Sequence, residues 1–321
     1  MLDTSRVHPD LRAAFLDRPP FDLADAVSTE RREGVAPAGV PDPRVRVEDR
    51  TVPGPAGAPA VRVRLYAPAT QAPGRPGLVW LHGGGYVLGS ALVQDAMAID
   101  LCVGADCIVA SVDYRLAPEH PFPAGLEDAY AALRWLAEVG PHEMDTTRIG
   151  VGGMSAGGGL AAALALLARD RGGPALAFQM PLCPMLDDTN TTASSREFTD
   201  PRVWNRDANG AAWALYLTGV APVGGGVPAY AAPARATDLR GLPPAYIGVG
   251  ALDPFRDEDI EYARRLSQAG VETELHVFPG CYHGFEGVLE ADVALEARRE
   301  YAGALRRGLH GADGADARPR T

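Results

Sequence analysis

Three residue types that together can break an acyl bond stand in glycine-framed positions of this chain. Ser155 lies in Gly152-Gly153-Met154-Ser155-Ala156-Gly157-Gly158-Gly159, Asp253 in Gly250-Ala251-Leu252-Asp253-Pro254, and His283 in Gly280-Cys281-Tyr282-His283-Gly284-Phe285. A serine hydroxyl is a weak nucleophile until a base takes its proton. The base in turn needs a group that sets its tautomer and stabilises its cation. The spacing Gly153-x-Ser155-x-Gly157 suits a sharp strand-to-helix turn in which neighbouring side chains would clash. A helix starting there aims its free N–H groups back at the serine, where an oxyanion would form. His82-Gly83-Gly84-Gly85 is a second glycine run. The N–H groups of Gly83 and Gly84, with that of Ala156, make up the expected oxyanion hole. A glycine turn with an uninvolved serine has the same local pattern, so the surrounding elements must decide.

Those elements alternate between strand and helix. Val45–Val47 and Val61–Tyr66 alternate in polarity around a Pro/Gly turn and predict an antiparallel pair. Gly77–Leu81 and Cys107–Val112 are continuous apolar runs, as in parallel strands covered on both faces. Helices are expected over 94–103, 126–139, 160–167, 258–269 and 288–309, and further strands over 148–151, 175–180, 245–249 and 272–278. A short helix from Pro9 to Leu16 is closed by Pro19-Pro20, and 33–43 reads as a Pro/Ala/Gly-rich loop. The stretch from Asp187 to about Ala236 breaks the rhythm and reads as a lid; Trp204, Trp213 and Tyr216 are expected in its core. The overall pattern is α/β: a mostly parallel sheet with helices on both faces.

Loops at the C-terminal ends of parallel strands form the working edge of such a sheet, and this edge favours His283 among the seven histidines. Asp253 comes first off the preceding strand, ahead of a proline. Asp257, Glu258 and Asp259 read as the acidic first turn of a helix, with Asp257 kept as the alternative acid. The order Ser155, Asp253, His283 is that of α/β-hydrolases.

At 321 residues with 46% hydrophobic residues, the chain can bury a large core. A net charge of −11 disfavours nucleic acid and anionic membranes as partners. No signal-like opening or bilayer-length apolar run is present, so a cytoplasmic location is expected. Cys102, Cys107, Cys183 and Cys281 lack zinc or redox spacing and are expected as buried free thiols.

Five motifs in order, His82–Gly85, Asp113-Tyr114-Arg115-Leu116-Ala117-Pro118-Glu119, Ser155–Gly158, Asp253–Glu258 and His283–Phe285, resemble the hormone-sensitive lipase-like, HGGG-bearing branch of the α/β-hydrolases. The resemblance covers about 61–309. It implies a bacterial serine carboxylesterase acting on short- to medium-chain acyl esters without metal or organic cofactor. It also implies that 113–119 braces the oxyanion loop, and that relatives often dimerise through the edge strand, here 272–278. The implied organisation is a catalytic domain of 44–186 and 237–310, a cap from 1–43 and 187–236, and a frayed tail over 311–321. One departure stands out: Met154 precedes the nucleophile where Asp or Thr is usual. Amide or N-formyl hydrolysis, deacetylation of a specialised metabolite and elimination chemistry share the scaffold. A non-catalytic small-molecule receptor is the alternative of another class, disfavoured by the intact triad.

Overall fold

In the computed structural model, residues 2–28, 42–221 and 226–311 are described. The loop expected over 33–43 lies almost wholly outside them, as does the tail after Gly311. The chain opens with α1 (Pro9–Leu16) and α2 (Leu23–Ser28). It continues through β1 (Val45–Val52), β2 (Val61–Pro68), β3 (Arg75–Leu81), α3 (Asp95–Ala105), β4 (Ile108–Asp113), α4 (Ala124–Val139), β5 (Met144–Met154) and α5 (Ala156–Asp170). Then follow β6 (Phe178–Leu182), α6 (Ala193–Glu197), α7 (Arg206–Tyr216), β7 (Ala245–Leu252), α8 (Arg256–Gln268), β8 (Thr273–Tyr282) and α9 (Asp292–His310).

The eight strands form one sheet in the order β1-β2-β4-β3-β5-β6-β7-β8. β1 pairs β2 and β2 pairs β4 antiparallel; every pair from β4 to β8 is parallel. β3 and β4 are buried almost throughout, which explains their unbroken apolar sequences. Each face of the sheet carries its own apolar layer. Helices α4, α5 and α8 cover one with residues such as Leu133, Leu164 and Leu266. α3, α9 and α1 cover the other with Leu101, Leu305 and Phe15. From Ala156 to Ala168, α5 is apolar on all sides because it is buried on all sides.

Several boundaries differ from the sequence expectation, β5 and α5 being longer at both ends and β8 running on to Tyr282; two shifts have a local cause. The strand expected over 175–180 begins at Phe178 and runs to Leu182, because Gly172 and Gly173, both at positive φ, keep the chain in a turn before it. The helix expected from Val288 begins at Asp292, after a 3₁₀ turn over Phe285–Gly287. Among the described residues, no helix is long and apolar enough to cross a membrane.

The insertion between β6 and β7 carries α6 and α7 and forms a cap. Its hold on the body is polar and specific. Ser194 of α6 donates its hydroxyl to Pro254 O, and its N–H goes to Asp257 Oδ2 at 2.7 Å. Glu258 Oε1 accepts the N–H groups of Leu186 and Asp187, where the cap begins. The N-terminal segment meets the same cap: Phe21 N–H donates to Pro201 O, Leu2 N–H to Asp200, and the Arg202 guanidinium lies over the Phe15 ring.

Candidate active site

Ser155 sits at the junction of β5 and α5 with φ 57°, a conformation costly for any residue with a β-carbon. Its N–H donates to Leu182 O, and its carbonyl accepts from Met185 N and Gly159 N. The elbow closes only because Gly157 has no side chain: a β-carbon there would stand 1.9 Å from Leu81 O.

The three residues framed by glycine in the sequence meet here. His283 Nε2 is 2.9 Å from Ser155 Oγ, and His283 Nδ1 is 2.7 Å from Asp253 Oδ2. Asp253 is almost completely buried, and its other oxygen accepts the Phe255 N–H at 2.9 Å. A carboxylate on Nδ1 makes Nδ1 the protonated nitrogen and leaves Nε2 free to accept the serine proton. Burial works against a charged imidazole. The Asp253 charge and hydrogen bond, aided by Glu286, outweigh that effect and hold the His283 pKa above its usual value. Asp257, the alternative acid, does not meet His283; it binds Ser194 N and Arg256 instead.

The run after β3 turns sharply past the serine. Gly84 and Gly85 have φ 124° and 61°. The N–H groups of Gly83, Gly84 and Ala156 donate to no protein acceptor among the described residues, the condition for receiving an oxyanion. His82, pushed down by burial and therefore neutral, uses Nδ1 on Gly83 O at 2.8 Å. The 113–119 segment braces this loop. Tyr114 stacks on the His82 ring at 4.2 Å and donates its hydroxyl to His82 O, while Ala117 N–H binds Tyr86 O.

These groups face a cavity of ≈ 780 Å³. Its walls come from the N-terminal segment (Phe21), the glycine-run loop after β3 (Leu88), the elbow (Met154), Cys183 after β6, and the cap (Trp204). Trp213 and Tyr216 pack around Tyr86 as cap core, as expected, while Trp204 is only partly buried: it packs against the same apolar layer and also lines the cavity. It lies between the cavity and Gly85, where a β-carbon would be 2.3 Å from its Cη2. The third glycine of the run is thus a seat for the cap. Gly85→Ala is expected to destabilise the protein by about 2 kcal/mol, combining positive φ with overpacking. A denaturant midpoint equal to wild type would show that neither the positive φ at Gly85 nor its contact with Trp204 carries a cost.

Sequence reasoning did not reveal that Glu258, Asp259 and Glu286 are buried beneath the site. Burial pushes all three carboxyls up. Glu258 and Asp259 do occupy the first turn of α8, yet they face inward rather than to solvent. Only tertiary packing separates that case from an exposed acidic turn. All four cysteines are free and buried. Cys183, Asp253 and His283 bring donor atoms within 4.8 Å of one another, but they do not fit a metal. Both imidazole nitrogens are engaged by Asp253 and Ser155, and burial keeps the Cys183 thiol protonated.

A family model described as the alpha/beta hydrolase fold matches residues 78–287. The chain belongs to that family. This hydrolase is 42% identical over 298 residues to the carboxylesterase NlhH of Mycobacterium tuberculosis, covering 90% of this chain and 92% of the relative. It is 41% identical over 306 residues to the esterase LipI of the same organism, covering 92% and 93%. Among solved structures, a bacterial heroin esterase superposes with a TM-score of 0.89 at 41% identity, covering 95% of this chain and 99% of that one. Family, relatives and site geometry together make this hydrolase a serine-type carboxylic ester hydrolase.

Proposed function

We propose that this hydrolase cleaves short- to medium-chain acyl esters of small molecules through an acyl-enzyme on Ser155. The single observation carrying this reading is the continuous Asp253–His283–Ser155 hydrogen-bond chain opening onto the cavity. Ser155 Oγ attacks the ester carbonyl carbon as His283 Nε2 takes its proton, and the oxyanion accepts from the N–H groups of Gly83, Gly84 and Ala156. The C–O bond to the alcohol breaks, and His283 returns the proton to the leaving oxygen. Water then attacks the acyl carbon as His283 takes its proton; the bond to Ser155 Oγ breaks, His283 returns the proton to Oγ, and the acid is released. Asp253 holds His283 in the working tautomer throughout.

The cavity volume falls within the range of small-molecule sites, and its mainly apolar lining suits an acyl chain. Residues 1–43 and 187–236 act together as the cap over a catalytic body of 44–186 and 237–310; the contacts of Phe21, Leu2 and Phe15 with 200–202 support this division. A cytoplasmic location belongs to the same reading and is supported by four unpaired buried thiols. So does a homodimer paired along β8, which stands at the sheet margin; a monomer in analytical ultracentrifugation removes that part.

The test is a p-nitrophenyl ester series from acetate to laurate, together with labelling by a fluorophosphonate. The expected result is activity peaking at the shorter chains and one phosphonyl adduct on the Ser155 peptide. Activity rising through laurate overturns the chain-length limit. An adduct elsewhere, or none, overturns the mechanism.

A further inference from the structure

Gln94 ends the 3₁₀ turn Ala91–Gln94 that leads into α3, and its side chain reaches the cavity wall beside Gly83. Its Oε1 accepts the indole N–H of Trp80 at 3.0 Å. Trp80 is fully buried, and an indole nitrogen only donates. The amide is therefore held one way round, with its oxygen on Trp80 and its NH₂ turned from it. Nε2 lies 3.6 Å from the point where a β-carbon on Gly83 would stand, and Ser155 Cβ lies 3.4 Å from the same point. Among the described residues Nε2 donates to no acceptor. Its cavity neighbours Leu88, Val93 and Met154 offer apolar side chains. The result is an oriented donor next to the nucleophile, among apolar side chains, with the backbone oxygen of Met154 3.1 Å from the same Gly83 point.

We propose that Gln94 is a specificity-determining residue whose Nε2 donates to an oxygen that the substrate carries close to its ester group. The site thereby favours alkoxy-, hydroxy- or keto-substituted esters over alkyl esters of the same size. This inference rests on the ester-hydrolase reading above. An alkyl chain against Gln94 strips water from the donor and returns no bond, whereas an ether or carbonyl oxygen restores it. Sites that present a fixed polar group discriminate in this way against analogues lacking the partner.

Two isosteric pairs test it: p-nitrophenyl methoxyacetate against p-nitrophenyl butyrate for an oxygen in the acyl arm, and 2-methoxyethyl acetate against butyl acetate for one in the alcohol arm. The readout is the ratio of kcat/KM within each pair, for wild type, Gln94→Met and Gln94→Glu. Comparing ratios across variants cancels the intrinsic reactivity of each ester. Gln94→Glu keeps an acceptor for Trp80 while removing the donor, so a change it shares with Gln94→Met is not a loosened Trp80. The expected result is a fall of about 5- to 10-fold in the oxygenated-to-alkyl ratio for one pair in both variants, the size of one neutral hydrogen bond. The pair that responds identifies the arm. Ratios unchanged within about twofold in both pairs, or a preference retained by Gln94→Glu, overturn the inference while leaving ester hydrolysis standing. If wild type hydrolyses none of the four esters, the ester-hydrolase reading falls and takes this inference with it.

Discussion

Ser155→Ala is expected to lower kcat for p-nitrophenyl butyrate by about 10⁶-fold, the loss typical when the nucleophile of a serine triad is removed. The reason is local. Ser155 Oγ has its hydrogen bond to His283 Nε2 at 2.9 Å, while the backbone bonds that shape the elbow come from Ser155 N and O and persist in alanine. The fold should therefore survive, with an unchanged circular dichroism spectrum and a similar unfolding midpoint. The residual rate should remain above that of water alone, because the Gly83, Gly84 and Ala156 donors and the cavity are intact. A well-folded alanine variant that keeps more than a hundredth of wild-type kcat would remove Ser155 from the chemistry. In that case another nucleophile in the cavity would have to be sought, and Cys183 is a poor one with a thiol held protonated by burial.

The second large effect concerns Asp253→Asn. An amide at this position cannot accept from His283 Nδ1 with a carboxylate's strength, and its NH₂ end favours the tautomer with the proton on Nε2. That nitrogen then cannot take the proton of Ser155, and kcat should fall about 10⁴-fold. The pH profile supplies an independent check. His283 must be neutral to act as base, so kcat/KM rises as pH rises through its pKa. Burial depresses that pKa, but Asp253 and Glu286 raise it more, so the acid limb of wild type should lie above the ordinary histidine value of about 6.5. Removing the Asp253 charge leaves burial unopposed by its largest counterweight. The residual activity of Asp253→Asn should therefore show an acid limb displaced to lower pH. A limb that stays in place would mean that Asp253 does not set the basicity of His283, whatever it does to the rate.

The parts of the site legible before the structure were those whose chemistry requires a particular residue type. A positive-φ serine with a backbone carbonyl where its neighbour's β-carbon would stand leaves no choice but glycine at 157. The acid was harder to read, because four carboxylates follow β7 within a few residues, three of them as the acidic start of a helix. Packing separates them. Asp253 faces His283, Asp257 docks the cap through Ser194, Glu258 holds the start of the cap, and Asp259 is buried with both oxygens unpartnered among the described residues. Trp204 shows the same limit: an aromatic residue in a cap sequence gives no sign of whether it faces the cap interior or the substrate.

By itself, the sequence determined the alternation of strands and helices, the elbow, the glycine run after β3 and the order of nucleophile, acid and base. These follow from local rules, since periodicity and steric exclusion act over a few residues. Only the tertiary structure decided the sheet order, the meeting of the N-terminal segment with the cap, the seating of Trp204 on Gly85 and the orientation of Gln94 by Trp80. Each of these depends on residues brought together by the fold, and contacts of that kind leave no periodic trace in the chain. The chemistry of the site is thus written locally, whereas the shape of what it accepts is set by packing between distant segments.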